Sequence, residues 1–232
     1  MEASPILRVK DLRVAFKSVS GLNEVLHGIS YQLYANEILG IVGESGSGKS
    51  VASLAIMGLL PLKSGVTISG EIMFKTENLL DYSQKQLEAI RGKKIAMIFQ
   101  EPMSALNPSI CCGQQVEEIL LQHTNITTKV ARQEVIRLFN AVKLPEPKRT
   151  FKKYPHEISG GQQQRVMIAM AIACKPEILI ADEPTTALDV TVQKEIIALL
   201  KTLQKEFKMS VIFISHDLAL VSEIADRIVV MY

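Results

Sequence analysis

A run of glycines and small polar residues is the strongest chemical signal in the chain, because its spacing matches a phosphate-binding loop. It reads Gly43, Glu44, Ser45, Gly46, Ser47, Gly48, Lys49 and Ser50, followed by Val51. Glycines let the backbone turn its N–H groups inward, and the start of the following helix adds a partial positive charge. Lys49 has the reach for the β- and γ-phosphates, and the Ser50 hydroxyl suits Mg²⁺. We therefore expect this loop to bind a nucleoside triphosphate.

Two neighbouring carboxylates form a second candidate site. The apolar residues 178–180 lead to Asp182 and Glu183, which predicts a buried strand with both carboxylates at its carboxyl end, where open α/β sheets bind ligands. Mg²⁺ keeps several waters and takes few protein ligands, so Asp182 suits its shell. Glu183 is then placed to polarise an attacking water. The alternative is that the pair simply ends a strand.

A second glycine-containing sequence precedes the apolar run 166–174. It reads Ser159, Gly160, Gly161, Gln162 and Gln163. A serine N-cap with two glycines leaves N–H groups available at a helix start, which makes a second anion site. An ordinary capped helix is the alternative, but it does not explain two such helix starts in one nucleotide domain. A dimer explains them if each protomer's second site closes on the triphosphate of the other.

Three further side chains are candidates because of their positions. Gln100 follows a predicted strand, and its amide suits Mg²⁺ or a water; the alternative is a surface polar residue. His216 follows the apolar run 211–215 and has the chemistry to hydrogen-bond a γ-phosphate, although a lone histidine is more often structural. Phe16 is suited either to stack on adenine or to pack in the core.

The elements that position these residues alternate between strands and helices. Strands are predicted within 6–42, notably at 38–42, and at 70–74 and 94–99; helices are predicted at 49–60, 115–122, 130–144 and 166–174. Towards the carboxyl end, strands at 178–182, 211–215 and 227–231 alternate with helices at 190–207 and 217–225. That alternation predicts a parallel sheet with crossover helices.

One α/β domain with an inserted helical subdomain accounts for this pattern. We expect residues 1–104 and 175–232 to form the α/β core with an N-terminal β subdomain, and residues 105–174 to form the helical subdomain. Met231 and Tyr232 stand inside a predicted strand. We therefore expect that a natural C-terminal extension is absent from this chain.

Composition narrows the class of protein. The 232 residues are 47% hydrophobic and carry a net charge of +2 with no clustered basic face, so no nucleic-acid partner is expected. An odd number of cysteines, three, argues against a disulfide framework and is typical of a reducing compartment. No apolar run approaches the ~20 residues of a membrane span, and no secretory signal is visible. Any membrane role would be exercised from the cytosolic side through a partner.

The ordered set of motifs resembles the nucleotide-binding domains of ABC transporters over essentially the whole chain. The set comprises the glycine loop, Gln100, the sequence 159–163, the strand with its carboxylates at 178–183, the sequence 187–189 and His216. Three stretches look like those of the ATPases of dipeptide, oligopeptide and nickel importers, namely residues 100–108, 154–157 and 181–193. Among these ATPases, the chain looks more like the D-type subunit than its F-type partner. Ile158 stands where the family usually has leucine, a volume-conserving change.

The resemblance implies an α/β fold with a P-loop NTPase (RecA-like) core, an N-terminal antiparallel β subdomain and an inserted α-helical subdomain. It also implies a role for each candidate residue. Lys49 and the loop amides would bind the phosphates, Ser50, Gln100 and Asp182 would bind Mg²⁺, and Glu183 would be the catalytic base. His216 would sense the γ-phosphate, and Phe16 would stack on adenine. Asp189 would couple the two sites, and the partner's ATP would be contacted by Ser159, Gly160, Gly161 and Gln162.

The resemblance further implies the activity and the partners. We expect an ATPase that uses ATP and Mg²⁺ and powers the uptake of peptides or nickel chelates. Its expected partners are a second, related ATPase in a heterodimer, two transmembrane permease subunits and an extracytoplasmic solute-binding protein, and its expected place is the cytoplasmic face of a bacterial membrane. The alternative is a non-transport ABC ATPase acting on DNA or ribosomes. That class usually has two nucleotide domains, zinc insertions or long coiled coils, and this chain has none of them.

Overall fold

The computed structural model describes residues 4–18, 21–61, 65–100, 105–186 and 188–232. Five residues of the motifs that resemble those of ABC transporter ATPases lie outside the described residues, namely Glu101, Pro102, Met103, Ser104 and Ala187. The chain divides into two compact units, the first comprising Met1–Arg91 and Ser210–Tyr232 and the second Gly92–Met209. The predicted helical subdomain, residues 105–174, falls within the second unit, and its own boundaries stay a prediction.

The strands and helices alternate along most of the chain. The strands are β1 Leu7–Ser18, β2 Gly21–Leu33, β3 Ile38–Gly43, β4 Val66–Phe74, β5 Glu77–Asn78, β6 Ile95–Ile98, β7 Ile178–Asp182, β8 Ser210–Ser215 and β9 Arg227–Met231. The helices are α1 Lys49–Ile56, α2 Gln84–Ile90, α3 Cys112–His123, α4 Thr128–Ala141, α5 Pro147–Thr150, α6 Gly160–Ile172, α7 Val190–Phe207 and α8 Leu218–Ile224. Short 3₁₀ turns occur at Leu79–Asp81 and Pro155–Glu157.

An antiparallel sheet in the first unit has the strand order β2-β1-β4-β5. The buried apolar residues of β1 are Leu7, Val9, Leu12 and Val14, which change from odd to even positions partway along the strand. The pairing register shifts between Val9 and Leu12 against β2 and between Lys10 and Arg13 against β4, and Asp11, which lies within both intervals, has a φ of 46°. This β-bulge adds one residue and keeps all four side chains on one face.

Three parallel strands of the first unit carry the phosphate loop. β3 lies between β8 and β9, and every residue of β3 before its final glycine is buried. α1 follows the loop but ends at Ile56, so the prediction that it continues to residue 60 was wrong. Gly58 has a φ of 60°, which stops the helix. Arg91 donates hydrogen bonds to the carbonyls of Met57 and Gly58, which satisfies acceptors at this helix end.

The second unit contains helices α3 to α7 and the strands β6 and β7, which pair in parallel. Two predicted helix boundaries were wrong. The helix expected from residue 166 begins at Gly160, and the helix expected to reach residue 144 ends at Ala141. Lys143, with a φ of 56°, lies just past the end of the latter helix and stops it.

Candidate functional site

The phosphate loop joins β3 to α1 in the first unit and depends on glycine geometry. Gly46 and Gly48 both have a φ of 88°, in the left-handed region that side chains disfavour. A Cβ on Gly48 would lie 2.4 Å from Leu26 Cδ2, whereas a Cβ on Gly46 would meet nothing within 4 Å. Gly48 therefore satisfies a backbone and a packing requirement together, and Lys49 begins α1 immediately after it.

The Lys49 ammonium lies inside the loop. Its Nζ donates hydrogen bonds to the carbonyl oxygens of Gly43 at 2.7 Å and Glu44 at 2.8 Å, and the residue is only 5% exposed. Gly43 itself contacts β9 so closely that a Cβ there would lie 2.2 Å from the Met231 carbonyl oxygen. A lysine ammonium beside a glycine loop at the start of a helix is an arrangement that suits phosphate oxygens.

His216 lies at the same edge of the parallel strands as this loop. Val42 pairs with Ser215, so Gly43 and His216 are the next residues at the carboxyl ends of neighbouring strands β3 and β8. His216 is exposed. The next residue, Asp217, accepts hydrogen bonds from backbone N–H groups at the start of α8 and has a capping role.

Phe16 is half-buried near the end of β1. Leu12 and Val14 on the same strand are fully buried. In the sheet Phe16 pairs with Asn23 of β2 and Val66 of β4. The partial exposure is compatible with stacking of its ring on a base, and that role stays a prediction.

The two carboxylates end β7 in the second unit, as the sequence predicted. All five residues of β7 are buried, and Asp182 is 4% exposed. Glu183 follows in a left-handed conformation, with a φ of 45°. Gln100, two residues after β6, donates from Nε2 to Glu183 Oε2 over 3.2 Å. The structure therefore brings together two of the candidates that the sequence places far apart.

Thr186 is a contact of this site that sequence reasoning missed. Its Oγ1 donates to Glu183 Oε2 over 3.0 Å, the same oxygen that accepts from Gln100. The backbone N–H of Thr186 also donates to the Glu183 carbonyl over 3.1 Å. A signal was present, because a proline at 184 is typical of the second position of a turn, and a turn returns its fourth residue to its first.

The second glycine-containing sequence forms the start of α6. Ser159 Oγ accepts from the Gln162 N–H over 3.4 Å, and Gln162 Oε1 accepts from the Ser159 N–H over 3.2 Å, a reciprocal capping box. Ser159 and Gly160 are exposed. A Cβ on Gly161 would lie 2.9 Å from Val192 Cγ1, so this glycine lets the starts of α6 and α7 approach each other.

Asp189 is the N-cap of α7. Its Oδ1 accepts from the backbone N–H groups of Thr191 at 3.1 Å and Val192 at 3.0 Å. The residue is exposed. Capping accounts for an aspartate at this position, and coupling between two sites stays a prediction for it.

The candidate metal ligands have the donor chemistry that Mg²⁺ prefers. Ser50 offers a hydroxyl, Asp182 a carboxylate and Gln100 an amide oxygen, since the Gln100 amide nitrogen is directed to Glu183. Across the described ranges, no group of three or more His, Cys, Asp or Glu residues is arranged for a metal ion. Hydroxyl, carboxylate and amide oxygens each suit Mg²⁺ better than a metal that prefers thiolate or imidazole.

The cysteines are not paired in disulfides. Cys112 is fully buried, and burial raises the pKa of its thiol to about 11. Cys112 is therefore placed as a small buried hydrophobic residue. Within the described part of the chain, no helix has the length and apolarity to cross a membrane.

Known proteins match nearly the whole length of this chain. Residues 26–186 match the family model described as ABC transporter. The chain is 49% identical to the dipeptide transport ATP-binding protein DppD of Bacillus subtilis (strain 168), with 98% of this chain and 68% of the relative covered. It is 48% identical to the oligopeptide transport ATP-binding protein OppD of the same organism, with 98% and 63% covered. The chain thus spans about two thirds of the length of these relatives.

A solved structure has the same fold. A dimeric post-hydrolysis state of the ATP-binding cassette MJ0796, bound to ADP and Pi, superposes with a TM-score of 0.85 at 29% identity, covering 97% of this chain and 94% of that chain. The predicted fold class, a P-loop NTPase with parallel and antiparallel sheets, is therefore confirmed.

Proposed function

This chain belongs to the ABC transporter family, and on that premise we propose that it is the subunit that hydrolyses ATP to power the import of peptides through a partner permease. The observation that carries the proposal is the buried Lys49 ammonium, which two carbonyls of the glycine loop hold at the start of α1. A buried lysine in that position keeps its charge within the loop, where it is available to the phosphate oxygens of a bound nucleotide.

The chemistry assigned to the site is an attack of water on the γ-phosphorus of ATP. The water oxygen bonds to phosphorus, the bond from phosphorus to the ADP oxygen breaks, and the proton of the water passes to Glu183. Mg²⁺, held by Ser50, Gln100 and Asp182, neutralises charge on the phosphates when it is bound. The contact between Gln100 and Glu183 supports a shared role near the attacking water.

We assign the remaining candidates to binding and sensing. His216 contacts the γ-phosphate, and its position beside the loop at the edge of β8 and β3 supports this role. Phe16 stacks on adenine, and the half-exposure of its ring supports that role.

The complete site forms between two nucleotide-binding chains. The start of α6, at Ser159, Gly160, Gly161 and Gln162, faces the triphosphate held by the partner, and Asp189 couples the two sites. The dimeric state of the solved relative supports this arrangement. In the cell the partner is a related but different ATPase, because the D-type subunit that this chain resembles is one half of a heteromeric pair.

Peptides are the proposed cargo. The two relatives described above are named for dipeptide and oligopeptide transport, which favours peptides over the nickel chelates that the sequence left open. Their names also favour a transport protein over the non-transport alternative. Two permease subunits and an extracytoplasmic binding protein complete the proposed assembly. The chain then acts at the cytoplasmic face of the membrane, where a coupling helix of the permease docks near Gln100.

The two-chain site is tested by ATP hydrolysis as a function of protein concentration. We expect specific activity to rise with concentration and to rise further when the partner ATPase is added. Ser159→Arg places bulk and charge where the partner's γ-phosphate docks, so ATP binding to its own loop should persist while turnover and assembly are lost.

Two control variants separate that effect from loss of the helix cap. Ser159→Ala removes the capping hydroxyl without adding bulk. Ser83→Ala removes the equivalent capping box of α2, formed with Gln86. Each is expected to cost about 1 kcal/mol of stability. Full activity of dilute monomer, together with a Ser159→Arg variant that assembles and hydrolyses normally, would refute the two-chain site.

A further inference from the structure

The hydroxyl of Thr186 contacts the proposed base, Glu183, and has no role among those proposed so far. Thr186 Oγ1 donates to Glu183 Oε2 over 3.0 Å, and Gln100 Nε2 donates to the same oxygen over 3.2 Å. We propose that Thr186 is a positioning residue, which orients the Glu183 carboxylate to take the proton from the attacking water. This inference rests on the proposed role of Glu183 as the base.

The geometry explains why a positioning contact is effective here. Glu183 is half-buried, its backbone is in the left-handed region, and its carboxylate stands at the end of a flexible side chain. Two donors from different segments hold one carboxylate oxygen, so rotation of the carboxylate is restricted and the direction of Oε1 is set. Hydrogen bonds to an ionised acceptor are the stronger kind, and a base must be aligned to accept a proton.

Side-chain and backbone contributions of Thr186 are separable. Its N–H donates to the Glu183 carbonyl over 3.1 Å, and this turn contact does not depend on the side chain. Thr186→Val keeps the shape and the turn but removes the hydroxyl. Thr186→Ser keeps the hydroxyl and removes only a methyl group.

The neighbouring threonine supplies a matched control. Thr185 is 5% exposed, and its Oγ1 accepts from Gln193 Nε2 over 3.1 Å rather than contacting Glu183. Thr185→Val therefore removes a hydroxyl from the same turn without removing a hydrogen bond to the base. It is expected to lower the thermal unfolding midpoint while the turnover number stays near that of the wild type.

The experiment measures kcat, KM, the ATP dissociation constant and the unfolding midpoint in the assembled transporter. Thr186→Val should lower kcat by about tenfold or more, the effect of losing one hydrogen bond to a charged group. The KM and the ATP dissociation constant should not change, because the contact is made to the proposed base and not to ATP. Thr186→Ser should recover most of the lost kcat.

The outcomes separate this inference from the function on which it rests. Wild-type kcat in Thr186→Val, failure of Thr186→Ser to recover kcat, or an equal loss in Thr185→Val would each overturn the positioning role. Glu183→Gln is measured in parallel. Wild-type hydrolysis by Glu183→Gln would instead remove Glu183 as the base, whatever the threonine variants do.

Discussion

Two glycines of the phosphate loop share one backbone conformation but have different surroundings. Gly46 and Gly48 both have a φ of 88°, yet only Gly48 packs against another side chain, that of the buried Leu26. At the residue scale the loop therefore depends on two separate requirements. One is backbone freedom, and the other is the close approach of Leu26 in β2 to the first residues of α1.

Alanine at these two glycines measures the requirements separately. Gly46→Ala introduces only the left-handed strain, of roughly 1–2 kcal/mol. Gly48→Ala adds an overlap with Leu26 and should weaken ATP binding and lower the free energy of unfolding by more. Chemical denaturation and ATP titration of both variants check this. Equal losses in the two variants would show that packing against Leu26 does not matter.

At the scale of the element, side-chain hydrogen bonds set where α2, α6, α7 and α8 begin. The starts of α2 and α6 are reciprocal capping boxes, and Asp189 and Asp217 cap α7 and α8. α2 was missed from the sequence because it buries no residue and so has no apolar period. Its Ser83 and Gln86 pair was the available signal. Caps therefore predict helix starts even where the hydrophobic pattern is silent.

The strand β2 contains a buried polar group that weakens the fold. Tyr31 is 7% exposed, and its hydroxyl has no hydrogen-bond partner among the described residues. Tyr31→Phe removes that group, so the free energy of unfolding should rise by up to about 1 kcal/mol. Tyr34→Phe is the control, because the Tyr34 hydroxyl donates to Gln32 Oε1 over 2.8 Å and its loss should destabilise. Changes of the same sign in both variants would contradict this account.

The effect of Tyr31 on stability should also depend on pH. Burial raises the pKa of Tyr31 above its ordinary value. As pH rises through about 10, the unfolded chain ionises this tyrosine while the folded chain does not, and stability is lost. Denaturation at increasing pH should therefore show the advantage of Tyr31→Phe growing above pH 10.

At the scale of the whole molecule, the proposed site needs a second nucleotide-binding chain. Glu183→Gln should keep Mg-ATP binding and lower turnover by about 10²–10⁴, the usual contribution of a positioned base. ATP that is bound and not hydrolysed should then hold two chains together. Sedimentation with and without ATP checks the assembly, and Lys49→Ala, which should lose ATP binding, is the control. ATP-dependent assembly of Lys49→Ala would remove the lysine from phosphate binding.

The features that could be predicted from the sequence alone are those that involve residues close together in the chain. These were the glycine loop between β3 and α1, the carboxylates at the end of β7, and the serine cap of α6. Each rests on short spacings, because a loop, a strand end or a cap is completed within a few residues. Helix ends were less predictable, since single residues in left-handed conformations at Gly58 and Lys143 stopped α1 and α4 early.

Only the tertiary structure decided which distant residues meet. The fold brought Gln100 to the Glu183 oxygen that the neighbouring Thr186 also contacts, and it paired β8 with β3 so that His216 follows beside the phosphate loop. It also showed that Gly161 serves the packing of α6 on α7. Such contacts depend on strand register and on side-chain directions, which residues far apart in the sequence acquire only when the chain folds.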